Sequence, residues 1–173
     1  MKKYIILTFT LLIAISGFAQ KQKFGYVDTE YILEKLPEYR SAQRQLEELS
    51  TVWQDEINAK YTALDRKFKE FKAEEPLLTS DQRREKEEEI IRNEQEVTKL
   101  ETEKFGPNGA LFEKRQELVK PIQDKVFKAI QQVAKENAYD FVFDISGNMV
   151  VLITNPLYDL SDNVLVTLGV VTE

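Results

Sequence analysis

The side chains here that could do chemistry are almost all carboxylates, ammonium groups and guanidinium groups, because the 173 residues include neither His nor Cys. That removes the imidazole base, the thiol nucleophile, the usual Zn ligand set and any disulfide. Asp140 and Asp144 share one face of an extended segment and come nearest to an acid/base pair or a cation site, but no third ligand or nucleophile accompanies them. Their alternation suits the wet side of an edge strand. Asp28 precedes a helical stretch that starts near Glu30, the place of a helix cap rather than a catalyst. No Gly-rich phosphate loop is present. The chain reads as a non-enzyme without cofactor or metal, so its function has to come from surfaces.

Two surfaces stand out. Trp53, Tyr61, Phe68 and Phe71 recur at helical spacing, which means either helix-packing core or a gripping surface, with the spacing favouring core. Phe68 and Phe71 are the best gripping candidates, because the segment that would face them after Ser80 offers few apolar partners. Between Arg66 and Lys86, seven cations (Arg66, Lys67, Lys69, Lys72, Arg83, Arg84 and Lys86) stand against five anions, a local net of +2. Such a patch can meet polypeptide carboxylates or lipid phosphates, or be a plain solvated helix face.

The elements that carry these residues must be long, since only six Gly and five Pro punctuate the chain. From Glu38 to Glu74, apolar residues recur every three or four positions from Tyr39 to Phe71, which predicts one helix about 55 Å long. Glu75 to Leu78 forms a tip, and Thr79 with Gln82 has the spacing of a capping box that starts a second helix. Between Ser80 and Glu96 that helix carries only Ile90 and Ile91 as large apolar residues. Gly106 and Pro107, within Phe105 to Gly109, break it, as either a hinge or a tolerated kink. The pattern then resumes to Asn137, with Pro121 a second place to kink.

Beyond Asn137, alternation of Tyr139, Phe141, Phe143 and Ile145 predicts a strand. Gly147-Asn148 and the apolar run Met149 to Ile153 extend it to a β-hairpin over Tyr139 to Thr154. Phe24 to Asp28 is a third strand, and Asp159 or Ser161 caps a last short helix. Three short strands are too small a sheet to anchor such arms. Hence an α+β fold is expected, a long helical hairpin protruding from a small β body that oligomerises through Phe24, Tyr26, Val27, Phe141, Phe143, Val150 and Leu152. Residues 20–37 and 138–173 would form the body and 38–137 the arm.

Met1 to Ala19 has the basic start, fifteen-residue apolar run and small residues at −3 and −1 of a cleaved secretory leader. The whole chain carries 24 cations and 30 anions; losing Lys2 and Lys3 with the leader leaves 22 against 30, a net charge of −8. Nucleic acid is not an expected partner.

The order of these features resembles the Skp/OmpH family of periplasmic chaperones for outer-membrane proteins. It is carried by the leader, Phe24-Gly25-Tyr26-Val27-Asp28, Ile32 and Pro37-Glu38 opening the hairpin, Tyr139-Asp140-Phe141-Val142-Phe143-Asp144 after it, and Asp159-Leu160-Ser161-Asp162 before the last helix. The resemblance implies a jellyfish-shaped homotrimer whose arms hold unfolded outer-membrane proteins without ATP, with lipopolysaccharide or membrane contact at the arm tips. One departure is the charge: strongly basic arms are usual in that family, whereas −8 here weakens electrostatic capture. The competing expectation is a coiled-coil spacer or adaptor of the cell envelope, which would need no terminal strands and better-filled heptads.

Overall fold

The computed structural model describes residues 22–147 and 151–170. The expected leader and Val150 lie outside the described residues. Seven elements follow in order: β1 (Phe24–Val27), α1 (Thr29–Lys35), α2 (Pro37–Glu74), α3 (Ser80–Phe105), α4 (Ala110–Glu136), β2 (Phe141–Asp144) and α5 (Ser161–Thr167). Two short 3-10 turns, Glu75–Leu77 and Pro156–Tyr158, join them. The chain separates into two compact units, residues 33–127 and the two flanking segments.

In the first unit, α2 and α3 form an antiparallel hairpin. Pro37 opens α2 at a position where a missing N–H costs nothing, and thirty-eight residues without Gly or internal Pro carry it to Glu74. The turn Glu75–Leu77 reverses the chain. Thr79 then caps α3 with a reciprocal capping box: its hydroxyl accepts from the Gln82 N–H, and Gln82 Oε1 accepts from the Thr79 N–H. Cross-links mark the register: Lys67 to Glu89, Tyr61 to Glu101, and Lys125 of α4 to Glu38 at the foot of α2. The buried seam holds Ala42, Leu46, Ile57, Phe71, Val97, Val119, Ile122 and Val126.

The expected break is present. α3 ends at Phe105 and α4 starts at Ala110. Glycine is required at Gly106, where a Cβ would lie 2.4 Å from the Thr102 carbonyl oxygen. Across from the break α2 runs uninterrupted, and Trp53 packs edge-on against Phe105 with ring centroids 6.3 Å apart while Lys104 lies 4.7 Å over the indole. Pro121 does not end α4, which continues to Glu136.

In the second unit the sheet differs from expectation. β1 and β2 pair in parallel, Phe24 with Phe141 through Val27 with Asp144, and the segment 151–155 carries no strand. Residues 148–150, with half the turn and the start of the second strand of the expected hairpin, lie outside the described residues, and the pairing the described residues do show joins the two ends of the chain. Its other edge contact is a single bridge from Tyr26 to Asp159. The register puts Gly25, Val27, Val142 and Asp144 on one face and Phe24, Tyr26, Phe141 and Phe143 on the other. Val27, Ile32, Leu160, Val164 and Leu165 are buried. A Cβ on Gly25 would meet Leu160 at 2.8 Å, which is how closely that face is packed.

Candidate functional site

Among the described residues no catalytic constellation forms from the carboxylates. Asp28 Oδ1 accepts from the Tyr31 N–H, capping α1 as expected. Asp140 accepts from the Lys23 N–H at 2.7 Å, and Asp144 accepts from the N–H and hydroxyl of both Thr29 and Ser146. Burial alone would raise the Asp144 carboxyl, but these hydrogen bonds outweigh it and hold the group below the ordinary carboxylate value. Both aspartates stay exposed, as expected of the wet side of the strand, and their hydrogen bonds to Lys23 and Thr29 also clasp the two ends of the chain together. Among the described residues no group of His, Cys, Asp or Glu comes together as a metal site.

The tip patch is held differently from what its local net charge suggests. Each of its seven cations has a carboxylate within salt-bridge distance: Arg66 with Glu70, Lys67 with Glu89, Lys69 with Asp65, Lys72 and Arg83 with Glu75, Arg84 with Asp81, and Lys86 with Glu74. Asp65 and Glu89 lie just outside the stretch that counts +2, and folding brings them in. The Glu74 carboxylate raises the Lys86 ammonium, and the Lys67 ammonium lowers the Glu89 carboxyl. Exposed pairs like these, screened by solvent, neutralise the surface more than they stabilise it.

The two phenylalanines part company. Phe71 is only 5% exposed and sits in the hairpin seam, whereas Phe68 is 46% exposed. Lys72 lies 5.6 Å from the Phe68 ring centroid and 5.5 Å from that of Phe71, a cation–π contact at the tip end. Leu77, 85% exposed in the reversing turn, and the half-exposed Ile91 of α3 are apolar surface that the periodicity did not single out. A leucine in a three-residue turn has no helix face on which to be buried, and that is the signal that could have found it.

In the other unit, the face bearing Phe24, Phe141 and Phe143 lies open. The Phe24 ring stacks on Phe141 at 5.5 Å and on Phe143 at 6.2 Å, and all three rings remain substantially exposed. Beside them a groove of about 770 Å³ is lined by Phe24, Tyr26, Phe143, Ile145, Val151, Ile153 and Tyr158. Val27 points the other way, into the core, and Leu152 and Ile153 are each 90% exposed. Among the described residues no strand pairs with the far edge of β2.

Comparison with known proteins gives a consistent placement. No curated protein matches the sequence. A crystal structure from Caulobacter crescentus CB15, described as an OmpH-like outer membrane chaperone, superposes with a TM-score of 0.68 over 88% of this chain and 89% of its own, at 15% identity. At that identity the likeness is one of fold. The family model described as outer membrane protein (OmpH-like) matches residues 23–168, from the first strand to the end of the last helix. The chain belongs to the OmpH-like family.

Proposed function

We propose that this protein is an ATP-independent holdase: it binds unfolded outer-membrane or other exported proteins between helical arms and prevents their aggregation in the periplasm, after a leader at residues 1–19 has been removed. The observation that carries the reading is the outer hairpin, a two-helix arm whose exposed positions include Tyr61, Phe68, Leu77 and Ile91. Apolar groups spread along a slender arm suit a client whose sequence varies and which must later leave.

The body assembles the arms. Three stacked phenylalanines beside an apolar groove, with an edge of β2 that no strand among the described residues pairs, are a liability for a monomer, and a homotrimer joined through Phe24, Tyr26, Phe141, Phe143 and Leu152 would cover them. Val27 would support the strand from its buried side. At the tip, contact with lipopolysaccharide or a membrane surface would draw on Leu77 more than on a net positive field, since the seven cations are already paired. The break at Gly106-Pro107 acts as a fixed offset in this reading, because α2 spans it without interruption.

The test is the mass of the mature chain, residues 20–173, measured by light scattering behind size exclusion, alone and after dilution of a urea-unfolded β-barrel protein into it. A trimer that gains one client supports the proposal. A trimer that gains none, while pulling a single folded partner from envelope extract, would favour the spacer or adaptor reading.

A further inference from the structure

The two long faces of the arm carry different chemistry. On one, Tyr61 and Phe68 stand seven residues apart on α2 and so share a side of the helix. The Tyr61 hydroxyl donates to Glu101 at 3.0 Å. Thr98 and Glu94 also act on that hydroxyl, which the Glu101 hydrogen bond, partial burial and the carboxylate charges together push above the usual tyrosine value. Because the helices run antiparallel, seven residues from Tyr61 toward the tip is Phe68, and seven residues from Thr98 toward the tip is Ile91. Tyr61, Phe68 and Ile91 are 40%, 46% and 50% exposed. They form one apolar strip, with Glu94 and Glu101 along it.

Among the described residues neither Glu94 nor Glu101 has a salt-bridge partner, and the hydrogen bond to Glu101 comes from the phenolic hydroxyl. The cation at its tip end, Lys72, is tied to Glu75. The opposite face is lined by Lys60, Ala63, Leu64, Lys67, Asn93, Glu96 and Val97 and is crossed by the Lys67–Glu89 bridge. Its apolar side chains are small or turned into the seam, with Val97 buried, and Lys60 and Glu96 offset each other in charge, so it presents no large exposed apolar side chain and no net charge.

We propose that the strip of Tyr61, Phe68 and Ile91 is the side on which the arm holds its client, and that it selects extended segments interleaving apolar side chains with Lys or Arg. This deepens the holdase reading and rests on it. The apolar side chains supply burial, and the two carboxylates favour a cationic neighbour while repelling an acidic one. The net charge of −8 on the mature chain then follows the client preference instead of opposing it.

The experiment uses the whole mature chain and fluorescently labelled peptides of alternating Phe and Lys, Phe and Glu, or Ser and Lys, with binding read by anisotropy. The Phe–Lys peptide is expected to bind roughly tenfold tighter than either of the others. F68S with I91S should abolish that binding at unchanged oligomeric mass, E94Q with E101Q should erase the preference for Lys over Glu, and K60S with N93S should change nothing. Equal binding of Phe–Lys and Phe–Glu, or equal losses in the Lys60/Asn93 variant, would overturn the proposal. A change of mass in the Phe68/Ile91 variant would also overturn it, by showing a second copy of the chain on this face. Suppression of aggregation, followed in parallel with the unfolded β-barrel protein, separates the two readings: if it persists while peptide selection fails, the holdase stands and this face falls.

Discussion

Ala138 stands where a helix ending of this kind usually has glycine. After α4 the Tyr139 N–H reaches the Ala134 carbonyl and the Ala138 N–H reaches that of Lys135, the paired bonds of a Schellman motif, and Ala138 takes a φ of 52°. A Cβ in the left-handed region costs about 1–2 kcal/mol. Ala138→Gly should therefore stabilise the chain by about 1 kcal/mol, read as a higher urea midpoint at fixed chain concentration; a lower midpoint would mean the helix end is set elsewhere. Asp144 works in the opposite sense. Its folded pKa lies below the value of about 3.9 in an unfolded chain, so the unfolded state takes up the proton first as pH falls. The stabilisation is complete above the unfolded value and drains as pH drops through the folded one. Asp144→Asn should lower stability at neutral pH and flatten the acid limb of the midpoint-versus-pH curve. An unchanged acid limb would contradict the clasp.

At the scale of elements, the arm is governed by local signals and the sheet by distant ones, and this decides what the sequence reveals. Helix α2 starts two residues before its apolar spacing begins at Tyr39, and the Thr79–Gln82 box sets the start of α3, because both depend on neighbours in the chain. β2 was visible by its alternation. Its partner was not, since Phe141 pairs with Phe24 across the whole length of the arm in sequence. The same distance hid the neutralisation of the tip cations: Lys67 and Lys86 meet carboxylates only when the helices fold back on each other. Phe68 and Phe71 stand only three residues apart, yet the seam takes Phe71 and leaves Phe68 out. The break between α3 and α4 gives the element-scale prediction. Gly106→Ala should destabilise by about 1–3 kcal/mol because the new methyl meets backbone, whereas Gly147→Ala, with open space around it, should stay within about 0.5 kcal/mol. Denaturant midpoints of the two variants check this; equal effects would make the break a loose hinge rather than a packed offset.

For the whole molecule, the open phenylalanine face and the exposed arm strip make separable demands. Phe24→Ser with Phe143→Ser should leave the buried cluster of Val27, Val164 and Leu165 intact and reduce the scattering mass to that of one chain. A trimer that survives this change would place assembly elsewhere. In the proposed trimer, three arms would multiply weak contacts and raise the effective concentration around one client without any single strong site, so that a modest strip per arm would suffice to hold a large unfolded chain. The most direct measurement of the central claim is light scattering after a urea-unfolded β-barrel membrane protein is diluted into lipid-free buffer with the mature chain and no nucleotide. The account predicts that aggregation is suppressed at about one trimer per client and that added ATP changes nothing. Unchanged scattering in the presence of a folded, trimeric chain would contradict it.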